Sequence, residues 1–187
     1  SNFKMGQSAV VIGCGTIGLG IAACLLHAGV SRLILVERHP ARLSRARALG
    51  WAEVLDPGMP GFLEILKDLT DGHGVEVAFE AGGTPESFRC AFECAAVGGS
   101  VVLVGICELD DIPLPMHIAR RKELVIYLSR RDNREYPVVL DLAKRGIFDM
   151  DSLISGTEPI DRVQEAFVAA HEKHAGVLKT MLTFAEN

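Results

Sequence analysis

Short continuous apolar runs alternate with stretches of helical spacing from the first residues of the chain onward. Ser8–Ile12 (SAVVI) is apolar throughout and of strand length, the pattern of a buried parallel strand. Thr16–Ala28 follows with Ile17, Ile21, Leu25 and Ala28 at helical spacing, and Gly29 stands at a C′-like position. Leu33–Val36 (LILV) predicts a second strand. Pro40 suits the first turn of a helix running to Leu49, which Gly50 closes. Glu53–Leu55 predicts a short third strand and residues 61–69 a helix. The turn Asp71-Gly72-His73-Gly74 then leads into a fourth strand, Val75–Phe79. Thr84 and Pro85 make an N-cap and first helical position, and Phe88, Ala91, Phe92, Ala95 and Ala96 line one face of the helix they open. Ser100–Val104 and Leu124–Leu128 are the fifth and sixth strands, and a helix over 135–145 ends at Gly146.

Six strands with intervening helices predict an α/β fold, a doubly wound parallel sheet of the Rossmann kind, over residues 1–146. Residues 147–187 form a C-terminal extension with a strand-like Leu153–Gly156, a helix over 162–174 and a final strand Val177–Phe184. Asp161 and Gln164 have the spacing of a capping box for that helix. These last elements have no seat in the six-stranded sheet and are expected to pack against something else.

Composition agrees with this reading. Hydrophobic residues make up 49% and aromatics only 6%, so the apolar content is Ala, Val, Leu and Ile, as parallel sheets covered by helices require. A net charge of −5 argues against a nucleic-acid partner, and the basic clusters Arg120-Arg121-Lys122 and Arg130-Arg131 are too short to reverse that. No apolar run is long enough to span a bilayer, so no membrane partner is expected. The five cysteines form no C-x-x-C pair, and free thiols in a reducing cytoplasm are the expectation.

The strongest chemical signal is Gly13-Cys14-Gly15-Thr16-Ile17-Gly18, a G-x-G-x-x-G that follows a buried strand and opens a helix. In that context Gly13 makes the tight turn, Gly15 lets the backbone approach a pyrophosphate, and Gly18 permits close helix–strand packing. The positive helix end and its N–H groups then hold the anion. Glu37 ends the second strand nineteen residues after Gly18, where a carboxylate accepts hydrogen bonds from ribose hydroxyls and repels a 2′-phosphate. NAD is therefore favoured over NADP, although the adjacent Arg38 is a residue that could hold a phosphate; whether it stacks on an adenine or points to water stays open. Ala81-Gly82-Gly83 and Val104-Gly105-Ile106 follow the fourth and fifth strands, where small residues let a cofactor lie close to the backbone. Cys90 and Cys94, four apart on a helix, read as buried packing residues. His171 and His174 read as a charged helix surface, and His27, His39, His73 and His117 lack a titratable partner. No catalytic or metal-binding residue is assigned.

Taken together these residues resemble the medium-chain dehydrogenase/reductase superfamily, the zinc alcohol dehydrogenases and their polyol and threonine dehydrogenase relatives. KMGQSAVVIGCGTIGLG, LVERHPARLSRARALG, FEAGGTPESF, GGSVVLVGI and IPLPMHIARRKELVI carry the likeness, and it continues into the tail DSLISGTEPIDRVQEAFVAAHEKHAGVLKTMLTF. The stretch SRRDNREYPVVLDLAKRG and the LKTML strand are most similar to sorbitol-type polyol dehydrogenases. The resemblance implies that Gly13, Gly15, Thr16, Ile17 and Gly18 hold the pyrophosphate and back the cofactor, with Ile17 behind the nicotinamide. It implies that Glu37, with Arg38 and Arg42, reads the adenosine ribose. Ala81 to Gly83 would flank the adenosine side, Val104 to Ile106 the nicotinamide side, and Ser129 and Arg130 would reach the nicotinamide end.

The same resemblance implies a larger protein. Family members carry an N-terminal barrel-like domain that holds the zinc, which polarises a small alcohol or polyol for hydride transfer to NAD. This chain has neither the spaced cysteines nor the Gly-His-Glu segment of that domain, so it is expected to be a piece of a longer enzyme that binds NAD and turns over nothing. Its tail would pack on the absent domain. Family members commonly pair through the last strand of the sheet, so a homodimer through residues 112–128 is expected. The rival reading is an NAD-sensing regulatory module, which shares the glycine loop and acidic residue; the long, dehydrogenase-like continuation beyond the sheet argues against it. A short-chain dehydrogenase fits worse, because Tyr127 is followed four residues later by Arg131 instead of Lys. A methyltransferase usually lacks this glycine spacing.

Overall fold

The computed structural model describes residues 1–131, 135–146, 151–171 and 177–184. The chain divides into two compact units, Ser1–Asn133 and Arg134–Asn187. The first unit contains β1 (Ser8–Ile12), α1 (Thr16–His27), β2 (Arg32–Val36), α2 (Pro40–Leu49), β3 (Glu53–Leu55) and α3 (Phe62–Asp68). It continues through β4 (Val75–Glu80), α4 (Pro85–Cys94), β5 (Ala95–Leu103), α5 (Met116–Arg121) and β6 (Val125–Leu128).

These six strands form one sheet in the order β3-β2-β1-β4-β5-β6, with every neighbouring pair parallel. The order reverses between β1 and β4, which makes the carboxyl ends of those strands the switch point where open parallel sheets bind ligands. The apolar strands are explained by burial on both faces. Val10, Ile12, Ile34, Val36, Ala78, Val101 and Leu103 cluster with Phe62 and Leu66 of α3, Phe88, Ala91 and Phe92 of α4, and Ala119 of α5. Alternation sends the equally buried Ala9, Val11, Leu33, Leu35 and Val77 to the opposite face. There α1 contacts β1, β2 and β4.

Local chemistry ends the helices as the sequence predicts. Pro40 stands at the start of α2 and Gly50 closes it in a left-handed conformation, φ 65°. At α4 the Thr84 hydroxyl accepts from the Ser87 N–H at 3.2 Å, while Ser87 Oγ accepts from the Thr84 N–H at 2.9 Å. At the other end of that helix, Lys122 Nζ donates to the carbonyl oxygens of Phe92, Glu93 and Ala95 at 3.1, 2.7 and 2.7 Å.

Several expectations are corrected. The buried residues of α1 are Gly18, Leu19, Ala22 and Leu25, while Ile17 is 60% exposed and Ala28 is exposed. The close seat of Gly18 on the glycine loop turns this face, and not that of Ile17, toward the sheet. Ala95 and Ala96 belong to β5, not to the α4 face. A register shift between Val75 and Val77, with Gly98 at φ 73°, lets the strand start that early. The helix α5 was not expected, being only six residues long and capped by Pro115.

The second unit holds α6 (Tyr136–Lys144), β7 (Gly156–Pro159), α7 (Val163–His171) and β8 (Thr180–Thr183). It thus includes a helix that the sequence reading assigns to the end of the sheet domain. β7 and β8 pair in parallel as a separate small sheet. Leu153 lies in a 3-10 turn and the strand begins only at Gly156, because pairing with β8 makes a strand of GTEP, which has no apolar alternation of its own. A further 3-10 turn, Ile160–Arg162, precedes α7, so Asp161 and Gln164 do not flank the helix start as a cap pair. Arg162 instead bonds Glu165 at 3.0 Å and pairs with Glu158 at 3.1 Å. His174 and the end of the predicted 162–174 helix lie outside the described residues.

Candidate functional site

At the carboxyl end of β1 the chain turns sharply through Gly13, whose φ of 96° excludes most side chains. The Gly13 N–H donates to the Val36 carbonyl at 2.8 Å, tying the loop to the end of β2. A Cβ on Gly13 would lie 2.9 Å from the Gly82 nitrogen and 3.0 Å from the Ala81 carbonyl carbon, so the glycine loop and the β4–α4 loop touch backbone to backbone. A Cβ on Gly18 would collide with the Gly13 carbonyl oxygen and reach within 3.4 Å of Val11 Cγ1. Gly15 is different: the Arg42 guanidinium, 3.8 Å away, is the nearest atom a Cβ there would meet. The loop is therefore closed around Gly13 and Gly18 and open above Gly15. α1 starts at Thr16 with no side-chain cap and no acidic residue in its first turn, which leaves its positive end suited to an anion.

Glu37 sits at this loop with 6% exposure. Its Oε2 accepts from the Cys14 N–H at 2.8 Å and its Oε1 from the His39 N–H at 2.8 Å. An ionised carboxylate has about four acceptor positions, so about two remain. Burial, and then the Glu37 charge, push the Cys14 thiol up to about 12, against a smaller opposing effect of Arg42. Glu37 and Arg42 thus both act on the middle of the glycine loop. Arg38 is exposed and its charge helps to hold the Glu86 carboxyl below its usual value, after the hydrogen bonds from the Glu86 amide and Thr84. Arg38 thereby acts toward the start of α4.

The remaining loops interlock through glycines. The Ala81 N–H donates to the Ile12 carbonyl at 2.8 Å. Gly83 has φ 71°, and a Cβ on it would stand 2.5 Å from the Ile106 carbonyl oxygen. A Cβ on Gly105 would stand 2.5 Å from the Gly83 nitrogen and 2.5 Å from Glu80 Oε2. Val104 and Gly105 donate to the Glu80 carbonyl at 2.9 and 3.0 Å. Above these loops Ile106 is 92% exposed, like Ile17 an apolar chain open to the crevice end of the sheet. The structure brings together Gly13, Gly15, Gly18, Glu37, Arg42, Ala81, Gly82, Gly83, Val104, Gly105 and Ile106 through these contacts, with Thr16 and Ile17 on the same loop and helix start. Ser129, whose N–H donates to the Leu103 carbonyl at 3.0 Å, and Arg130 lie one strand further along, past β6.

Cys90 and Cys94 are buried with their sulfurs 3.8 Å apart. Among the described residues no group of three or more His, Cys, Asp or Glu side chains could hold a metal ion. Sequence reasoning missed Glu80, fully buried beneath both loops. The available signal was a glutamate ending β4 after the apolar Val77-Ala78-Phe79, directly before Ala81-Gly82-Gly83.

The family model for zinc-binding dehydrogenases matches residues 16–145. The sorbitol dehydrogenase of Bacillus subtilis is 27% identical over 182 residues, covering 97% of this chain and 52% of that protein. The (R,R)-butanediol dehydrogenase of the same organism is 32% identical over 185 residues, covering 97% and 52%. The crystal structure of 2R,3R-butanediol dehydrogenase from Bacillus subtilis superposes with a TM-score of 0.86 at 31% identity, over 97% of this chain and 52% of that one. The chain spans about half the length of these relatives.

Proposed function

The chain belongs to the zinc-binding dehydrogenase family, and on that premise we propose that it is the cofactor-binding half of an NAD-dependent alcohol or polyol dehydrogenase. The observation that carries this reading is the set of glycines at the switch point, where Gly13, Gly18, Gly83 and Gly105 have no room for a Cβ and Gly15 alone faces open space beside Arg42. A cradle of that shape fits a dinucleotide. Gly15 and the start of α1 take the pyrophosphate, Glu37 with Arg42 takes the adenosine ribose, and Arg38 lies toward the same side. Ala81 to Gly83 flank the adenosine half. Val104 to Ile106, with Ile17 behind, flank the nicotinamide, and Ser129 and Arg130 approach its outer end.

The nicotinamide ring supplies the hydride acceptor when the cofactor is bound. The chain's own residues bind and orient that ring and keep water from one of its faces with Ile17 and Ile106. Glu37 favours NAD over NADP, since its carboxylate stands where a 2′-phosphate would come. No cluster of side chains among the described residues fits a zinc ion. Residues outside this chain would supply zinc and the alcohol site, and residues 147–187 would pack against them. By itself the chain binds NAD and oxidises no alcohol.

Two further readings accompany this one. β6 is an edge strand with Leu128 83% exposed, and we read residues 112–128 as a homodimer contact. All five cysteines are free thiols, which fits a reducing, cytoplasmic setting. No helix among the described residues is long and apolar enough to cross a membrane. Fluorescence titration with NADH tests the cofactor site, an assay with sorbitol or butanediol tests the lack of turnover, and light scattering tests the dimer. Alcohol oxidation by the purified chain, or a strict monomer, would contradict the corresponding reading.

A further inference from the structure

Glu80 is fully buried at the end of β4 and has no ion-pair partner among the described residues. A carboxylate in such a place is costly unless hydrogen bonds hold it. One of its oxygens is held well: Oε1 receives the Gly82 and Gly83 N–H groups at 2.7 Å each and the Ser87 hydroxyl at 2.6 Å. The other, Oε2, is buried with no hydrogen bond from any described residue and lies 2.5 Å from where a Gly105 Cβ would begin. The backbone carbonyl of the same residue accepts from Val104 and Gly105. One residue therefore touches both loops that wall the crevice, and those loops are built from glycines with no side chains to fix themselves.

We propose that Glu80 is a positioning residue for the dinucleotide: its carboxylate sets the backbone of Gly82 and Gly83 against Gly105, so that the adenosine-side and nicotinamide-side loops are held in one arrangement. This deepens the cofactor reading and rests on it. An apolar residue of similar size would fill the space without ordering either loop. The glutamate is thus explained by the geometry it imposes above it, beyond the packing it supplies. Its carboxylate does not touch the cofactor cradle's open side, so the role is indirect.

The test compares Glu80→Ala, Glu80→Gln and Lys122→Met with the unaltered chain. Lys122→Met loosens the far end of α4 without touching Glu80, and so measures what lost stability alone does. Amide hydrogen exchange reads the loops without any ligand, and NADH titration reads the site. In Glu80→Ala the Gly82, Gly83 and Gly105 amides should lose protection, and the NADH Kd should rise about tenfold, as expected for losing charge-assisted hydrogen bonds. Glu80→Gln keeps an acceptor oxygen and should stay within about threefold of the unaltered chain. Lys122→Met should lower the melting temperature and leave the Kd unchanged. If Glu80→Ala does not fold, Ser87→Ala removes one donor to Oε1 and should raise the Kd about threefold.

Unchanged exchange and Kd in folded Glu80→Ala would overturn the proposal. So would a Kd change that Lys122→Met reproduces at an equal loss of melting temperature, or a Glu80→Gln variant as weak as Glu80→Ala. Failure of the unaltered chain to bind NADH would overturn the cofactor reading itself, an outcome distinct from all of these.

Discussion

The carboxylate of Glu37 receives the backbone N–H of Cys14 at 2.8 Å, so the acidic end of β2 and the middle of the glycine loop are one hydrogen-bonded unit. The residue proposed to read a ribose thus also shapes the glycine loop. Glu37→Ala should accordingly do two things: leave the Cys14 and His39 amides unpaired at a stability cost of about 1–3 kcal/mol each at most, and weaken NADH binding. Because a 2′-phosphate no longer meets a carboxylate, NADPH binding should weaken less. Chemical denaturation and paired titrations check this; an unaltered NADH to NADPH preference would contradict it.

Gly15 and Gly18 are predicted to separate binding from folding. A methyl on Gly18 collides with the Gly13 carbonyl oxygen, a backbone atom that cannot move aside, so Gly18→Ala should cost about 3 kcal/mol or more. Gly15 has φ −75° and only Arg42 at 3.8 Å, so Gly15→Ala should fold with stability changed by less than about 1 kcal/mol. On the proposed cofactor reading its methyl would meet the pyrophosphate at the backbone, and NADH affinity should fall at least about tenfold. Equal behaviour of the two variants in melting and binding would count against the cradle.

The buried Cys14 thiol gives the protein an alkaline limit. Its proton is held in the folded state up to about 12, against an ordinary value of 9.0, chiefly by burial. Between those values the unfolded chain loses a proton that the folded chain keeps, so stability is full below pH 9 and falls as pH rises. The slope should be about 1.4 kcal/mol per pH unit for this thiol. Cys14→Ala should flatten the fall in melting temperature between pH 9 and 11, and an identical fall in both proteins would refute it.

Lys122 donates from one ammonium to three carbonyl oxygens at the end of α4, and burial lowers its pKa. Lys122→Met keeps the stem and removes the donors, at an expected cost of about 2 kcal/mol. Denaturant unfolding with an unchanged midpoint would show that the contact contributes nothing.

The sheet was largely legible because its strands are buried on both faces, so SAVVI and LILV announce themselves without alternation. Pro40 with Gly50 and Thr84 with Ser87 marked helix ends by chemistry that acts locally. The failures share a cause, tertiary pairing that the local sequence does not encode. GTEP becomes a strand because β8 lies beside it, and Ala95 joins β5 through a bulge opposite Val75. Ile17 reads as core by spacing, yet it is exposed, because Gly18 sets which face of α1 meets the sheet. At the site the glycines and Glu37 could be found from spacing alone. Glu80 could not be found from spacing, because two of its three donors are backbone amides of glycines, whose letters say nothing about where their N–H groups point.

The most direct test of the cofactor site is a parallel fluorescence titration of this chain with NADH and NADPH. Saturable binding of NADH, at least about tenfold tighter than NADPH, is the predicted result. Tighter NADPH binding would mean that Arg38 and not Glu37 governs the ribose, and no binding of either would contradict the assignment of the glycine cradle to a nicotinamide dinucleotide.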